Sequence, residues 1–304
     1  MYDLIIIGAG PAGLSAAIYA VRQKLKTLVV SKDVGGQTNW SSNVENYPGF
    51  FMISGVSLAQ TFQEHLEKYD LEVEEGEIVK NIEILDKGFL IKTETESWQA
   101  KGVIVATGKK SRTLNIPGEN EFRNKGVAYC YICDGPLFYS KDIAIVGGGN
   151  SAMDAAIQMS KIAKSIKLIT NNNELIGDEI LKERVQKLEN VKILYDTDIK
   201  EIKGSYMVEQ AKIKHKGDDR DLKLQGVFIE IGLIPNSNLL KNIKKNDKSE
   251  ITIDSMNRTN IPGVFAAGDV TDIPEKQIII AAGEGAKATL SVVKYLTHLS
   301  TSQD

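Results

Sequence analysis

The chain opens on an apolar run, Leu4-Ile-Ile-Ile7, which meets Gly8-Ala-Gly-Pro-Ala-Gly13 and then a stretch of small and apolar residues. An apolar run without alternation reads as a parallel strand covered on both faces. The pattern predicts a strand over Tyr2–Ile7, a tight turn over Gly8–Gly13, and a helix over Leu14–Gln23 with small residues against the sheet. Leu28–Val30 returns as a strand. The succession recurs, with Asp142–Val146 as a strand, Gly147–Gly149 as a turn, Ala152–Ile162 as a helix and Ile166–Ile169 as a strand. Each is a βαβ unit, and the repetition predicts an α/β chain of two Rossmann-like units, doubly wound and three-layered. Two further apolar stretches end in glycine, Gly102-Val-Ile-Val-Ala-Thr-Gly108 and Gly263-Val-Phe-Ala-Ala-Gly-Asp269.

Length changes this picture little, since 304 residues suit two domains. A hydrophobic content of 42% and a charged content of 25% allow an ordinary globular core. A net charge of −3 points to neither nucleic acid nor an anionic membrane. No apolar run approaches the roughly 18 residues that span a bilayer. No signal peptide precedes the first strand, so a cytoplasmic chain is expected. There, a lone pair of cysteines suits redox chemistry better than a structural staple.

That pair is Cys130 and Cys133, 14 residues upstream of the second glycine turn. Two cysteines this close form a small ring, which gains little loop entropy and exchanges readily. A helix beginning there lowers a thiol pKa and favours thiolate. Structural zinc needs about four ligands, and His65, His215 and His298 have no ligand spacing to the pair, so no metal is expected. Two unreactive thiols remain the bland alternative. Asp134 follows directly, either as a proton donor and acceptor or as a helix N-cap. In the first glycine turn, Gly8 permits the turn, Gly10 admits a pyrophosphate, and Gly13 lets the helix pack close.

Gly35-Gly-Gln37, Val44-Glu-Asn-Tyr-Pro-Gly49, Ala106-Thr-Gly108, Cys130-x-x-Cys133-Asp134, Gly268-Asp269 and Lys276-Gln-Ile278 follow the first turn in an order and spacing that resemble low-molecular-weight thioredoxin reductases. The resemblance covers nearly the whole chain. It implies a discontinuous FAD-binding domain at 1–113 and 244–304. An NAD(P)H-binding-like domain at 114–243 would carry the dithiol. FAD would be lined by Gly8, Gly10, Pro11, Ala12, Gly13, Ser31, Gly35, Gly36, Gln37, Asn46, Val79, Ala106, Thr107 and Gly108. Gly268 and Asp269 would meet its ribityl and pyrophosphate region, and Lys276, Gln277 and Ile278 its isoalloxazine. Cys133 would be the flavin-facing sulfur, Cys130 the interchange thiol, and Asp134 the proton carrier. The resemblance further implies thioredoxin as substrate and a homodimer through the FAD domains.

The second glycine turn, Gly147-x-Gly149-x-x-Ala152, departs from that family. Its members follow the next strand with a His-Arg-Arg cluster that holds the 2′-phosphate of NADPH. Here the strand runs into Thr170-Asn-Asn-Asn-Glu174, and no arginine occurs between Arg123 and Arg184. Neutral asparagines offer a phosphate no charge-assisted bond. NADH would want an acid at the strand end, and Glu174 lies several residues late. The first unit also lacks that acid after Val30, so its absence leaves NADH open. The glycines then serve either a nucleotide or packing alone. The departure resembles the ferredoxin-dependent flavin thioredoxin reductases, so reduced ferredoxin is the expected donor. It would dock on a basic patch, either Lys109, Lys110 and Arg112 or Lys241, Lys244, Lys245 and Lys248. Competing readings are a reductase fed by NADH or NADPH, an oxygen-consuming flavin dithiol oxidase, and a non-enzymatic flavin redox sensor.

Overall fold

A computed structural model describes residues 1–41 and 44–301. The chain begins with β1 (Tyr2–Ala9), α1 (Pro11–Arg22), β2 (Thr27–Val34), α2 (Gly55–Leu66), β3 (Glu72–Glu75), β4 (Asn81–Ile84), β5 (Phe89–Lys92) and β6 (Ser97–Val105). β7 (Lys109–Ser111) leads out to β8 (Val127–Ala128), α3 (Tyr131–Asp134), β9 (Asp142–Val146), α4 (Asn150–Met159), β10 (Ser165–Ile169), α5 (Glu179–Gln186) and β11 (Val191–Leu194). Then come β12 (Thr197–Gly204), β13 (Val208–His215), β14 (Asp218–Lys223) and β15 (Gly226–Ile229). β16 (Leu233–Pro235), which pairs with β7, leads back to β17 (Val264–Ala266) and the long α6 (Ile278–Thr301). By contacts the chain forms two units. One is Met1–Trp40, Tyr47–Lys110 and Ile234–Asp304; the other is Ser41–Asn46 and Ser111–Leu233.

In the first unit the sheet order is β3-β2-β1-β6-β5-β4, with β17 also on β6. β1, β2, β6 and β17 are mutually parallel where they pair. Leu4 and Ile6 of β1 pack on one face with α1 and α6, while Ile5 and Ile7 pack on the other. Both faces are covered, which is why the strand reads as unbroken apolar sequence. α1 begins at Pro11, within the expected turn, because proline suits the first helical position. α6 crosses α1 closely, since a Cβ on Gly285 would lie 1.9 Å from the Ala12 carbonyl oxygen. Thr289 Oγ1 donates to the Ala16 carbonyl at 3.0 Å beside that crossing. His298 lies on this helix.

In the second unit the parallel sheet has the order β11-β10-β9-β15-β8. Ile143 and Ile145 face α4 and α5, while Ala144 and Val146 face the antiparallel sheet β12-β13-β14. Helices, parallel sheet and antiparallel sheet make three layers. α4 starts at Asn150 and ends at Met159, so it is shifted toward the glycine turn relative to the sequence pattern.

Candidate active site

In the first unit, parallel pairing brings the carboxyl ends of β1, β2, β6 and β17 to one edge of the sheet. Open α/β sheets bind ligands at that edge. The segments there carry Gly8–Gly13, Gly35–Gln37, Ala106–Gly108 and Gly268–Asp269. Gly8 has φ +104°, and a Cβ on it would sit 2.4 Å from the Ala106 carbonyl oxygen. A Cβ on Gly13 would sit 1.8 Å from the Gly8 oxygen. Gly10 is different, because its Cβ would meet nothing within 4 Å. Bare backbone facing open space, directly before Pro11 and Ala12 at the amino end of α1, is what a pyrophosphate requires. Ser31 Oγ accepts from the Ala9 amide at 3.0 Å and donates to the Asp33 carbonyl at 2.6 Å. Thr107 and Asn236 bond reciprocally, Thr107 Oγ1 to the Asn236 carbonyl at 2.7 Å and Asn236 Nδ2 to the Thr107 carbonyl at 2.9 Å. Val79 is a buried core residue, and Asn46 groups with the second unit.

A buried charge cluster belongs to the same unit. Lys109 Nζ donates to Glu250 Oε1, with the side chains 8% and 7% exposed. Gln37 Nε2 donates to the Lys109 carbonyl. Lys276 Nζ lies 3.4 Å from Glu250 Oε1 and donates to the Thr271 carbonyl at 2.6 Å. Ile278 opens α6 two residues on, and the Gln277 carbonyl accepts from the Ala281 amide at 2.9 Å. Burial pushes the Glu250 carboxyl up, but bonds from Lys109 and Asn246 and the nearby lysine charges outweigh it and hold the group below its ordinary range. Burial raises Asp269, opposed by the charges of Lys276 and Lys109. Burial also lowers Lys276, helped by the charge of Lys109. This corrects the expectation that Lys109 belongs to an exposed docking patch; Lys110 and Arg112 are exposed. The sequence hides the Lys109–Glu250 pair, because its partners lie 141 residues apart. A bare helix end together with buried cations fits a flavin dinucleotide.

The dithiol belongs to the second unit. β8 ends at Ala128, and Tyr129 is anchored by its hydroxyl, which donates to Glu119 Oε1 at 2.6 Å. Burial, then that bond, pushes the Tyr129 phenol up to about 12, so it stays neutral. Cys130 caps α3, and its Sγ accepts from the Cys133 amide at 3.2 Å. The two cysteines are disulfide-bonded with Cα atoms 5.3 Å apart. An amide aimed at Cys130 Sγ favours negative charge there once the pair is reduced. Asp134 closes α3 and is 6% exposed; its side chain makes no capping bond to the 3-10 turn Gly135–Phe138. Among the described residues, no three His, Cys, Asp or Glu side chains converge as a metal site. None of the described helices is long and apolar enough to cross a membrane.

The second glycine turn lies at the carboxyl edge of the same sheet. A Cβ on Gly147 would be 2.3 Å from the Glu230 carbonyl oxygen, and one on Gly148 would be 2.4 Å from Thr170 Oγ1. Contacts within the protein therefore suffice to require these two glycines. A cleft of about 400 Å³ opens beside them, lined by Gly147, Thr170, Asn171 and Asp198 among others. No arginine lines it, and Lys200, which does, is 3.1 Å from Asp198.

Residues 2–286 match the family model described as pyridine nucleotide-disulphide oxidoreductase, and the chain belongs to that family. The family is one of FAD-binding flavoproteins, and FAD is the cofactor of this chain. The sequence is 41% identical to an alkyl hydroperoxide reductase protein of Escherichia coli over 99% of its own length and 59% of that protein's. It is 40% identical to an NADH dehydrogenase of Bacillus subtilis, covering 97% and 58%. The chain thus spans somewhat over half the length of these relatives. The thioredoxin reductase of Streptococcus pyogenes superposes with a TM-score of 0.93 at 39% identity, covering 98% of this chain and 99% of that one. A ferredoxin-flavin thioredoxin reductase of Clostridium acetobutylicum gives 0.54 at 32%, covering 98% of each. Its fold is that of the thioredoxin reductases on which it superposes.

Proposed function

We propose that this protein reduces thioredoxin through its Cys130–Cys133 pair, with reduced ferredoxin as the electron donor. The observation that carries the reading is a disulfide held at the carboxyl edge of a parallel sheet, with a backbone amide on Cys130 Sγ. FAD, when bound and reduced by two one-electron ferredoxins, would supply the two electrons that open this disulfide. Gly8, Gly10 and Gly13, with Gly268, Asp269 and the Lys276-Gln277-Ile278 segment, would hold it. Cys130 thiolate then attacks the substrate disulfide; a Cys130–substrate bond forms, the substrate S–S bond breaks, and one substrate thiolate leaves. Cys133 attacks Cys130 Sγ, which re-forms the internal disulfide and releases the second substrate thiolate. Asp134 carries the protons that the two departing sulfurs take up. Two copies would work as a homodimer in the cytoplasm, where a readily exchanged dithiol stays available.

Ferredoxin as donor rests on the neutral run Thr170–Asn173, which supplies neither an arginine clamp for a 2′-phosphate nor an acid for a ribose. A second reading, NADH as donor, is favoured by the cleft beside Gly147 and by the Bacillus relative's name. Anaerobic bleaching of the flavin absorbance separates them. The holoprotein is offered reduced ferredoxin, NADH and NADPH in turn, and oxidised thioredoxin follows. Bleaching by ferredoxin alone, reversed by thioredoxin, is expected. Rapid bleaching by NADH would overturn the ferredoxin donor and leave the dithiol chemistry standing. Oxygen uptake driven by a small dithiol, with no thioredoxin reduction, would turn the reading into a dithiol oxidase.

A further inference from the structure

The buried cluster around Glu250 has no part in the thiol chemistry, yet it is tied to the segments of the first unit's carboxyl edge. Lys109 directly follows Ala106-Thr107-Gly108. Its carbonyl accepts from Gln37 Nε2. Gly36, one residue earlier, packs on the first glycine turn, since a Cβ there would lie 3.4 Å from Gly10 Cα. Lys276 Nζ donates to the carbonyl of Thr271, a fully buried residue just past the 3-10 turn Gly268–Val270. Glu250 is pinned beside the same turn, because the amide of Ile251, the next residue, donates to the Val270 carbonyl at 2.9 Å. Both oxygens of the Glu250 carboxylate are engaged, Oε1 by Lys109 Nζ and Oε2 by Asn246 Nδ2 at 2.6 Å. Lys276 Nζ stands off at 3.4 Å from Oε1, and its short bond goes to a neutral carbonyl. Two ammonium groups therefore share one carboxylate, among side chains no more than 17% exposed. Asp269, the carboxyl of the turn itself, is raised by burial against the pull of both lysines, which favours its neutral form. One cation is left in excess where water screens it little.

We propose that the Lys109–Glu250–Lys276 cluster sets the reduction potential of the flavin, its excess cation favouring the reduced ring and Glu250 limiting that effect. A flavin ring gains negative charge on reduction, so a buried cation beside it stabilises the reduced form. Lys109 and Glu250 are positioning residues, acting through Lys276. This rests on the reading that the Lys276-Gln277-Ile278 segment lies along the flavin ring. A higher potential makes the flavin easier to load and a weaker reductant of the disulfide, so the charge balance divides the driving force between the two half-reactions.

The test is the flavin midpoint potential of the full-length, FAD-loaded protein, read by anaerobic equilibration with redox dyes. Glu250→Gln leaves both lysines without their carboxylate. It is expected to favour the reduced flavin about tenfold, a rise of about 30 mV for a two-electron couple. Lys109→Met should lower the potential by a similar amount. The double variant Lys109→Met/Glu250→Gln removes a neutral pair and should return the potential to the wild-type value. Lys276→Met should lower it. Wild-type potentials in Glu250→Gln and Lys109→Met, with Lys276→Met lowered, would overturn the proposal and leave Lys276 acting alone. A wild-type potential in every variant, Lys276→Met included, would overturn the placement of Lys276 along the ring as well. If the single variants at 109 and 250 do not fold, Lys276→Met and the double variant decide. A lowered potential in the first and an unchanged one in the second are expected, and an unchanged potential in Lys276→Met would overturn the proposal.

Discussion

Lys109 and Glu250 face each other with less than a tenth of either side chain exposed. Removing one member of a buried pair strands the other charge, at a cost of about 3–5 kcal/mol. Lys276, 3.4 Å from the same oxygen, holds the cost toward the low end. Lys109→Met should therefore cost about 3 kcal/mol of stability, read as a lower urea midpoint; an unchanged midpoint would mean that Lys276 alone neutralises Glu250. The two buried glutamates have opposite pH signatures. Glu250 is held below its ordinary range, so its stabilisation is present above pH 4.5 and lost as pH falls through the folded value. Glu230 is raised from 4.5 to about 7, so its contribution is complete below pH 4.5 and lost as pH rises through 7. That loss is about 3 kcal/mol across the window. Glu230→Gln should flatten the decline in thermal stability between pH 5 and 8 while leaving the acid limb in place.

At the level of elements, α1 and α6 are held together by small residues. Gly285 has no room for even a methyl group, because the Ala12 oxygen would lie 1.9 Å from it. Gly285→Ala must push α6 off α1 and disturb the amino end of α1, where Gly10 faces open space. Overpacking of this kind costs about 1–3 kcal/mol. Reduced FAD content after gel filtration, together with a lower melting temperature, is expected; full flavin occupancy would show that the helices separate without moving the glycine turn. The turn itself is legible in sequence, since the strand, three glycines and helix are contiguous. The crossing is not, because Thr289 meets Ala16 across 273 residues. The antiparallel layer β12-β13-β14 is equally hidden. β14 reads Asp218-Asp-Arg-Asp-Leu-Lys223, with one apolar residue and no alternation to betray a strand.

For the whole molecule, sequence motifs locate both carboxyl edges, because each motif follows directly from its strand. They do not locate neighbours across an edge. Cys130, Gly147 and Glu230 come together only through the order β8-β15-β9, which no local pattern records. Exchanging Asn171-Asn172-Asn173 for His-Arg-Arg should test the donor at this scale. If the cleft is otherwise intact, the variant gains NADPH-driven flavin bleaching; no gain would mean that other parts of the cleft also lack what a nucleotide needs. The discontinuous first unit bears on how the chain is made. A ribosome releases all of Ser111–Leu233 before β17 and α6, which belong to the first unit, have emerged. During that interval α1 lacks α6, its packing partner, and the apolar side chains they share have no cover. The middle of the nascent chain can therefore fold first, and the beginning must wait for the last helix.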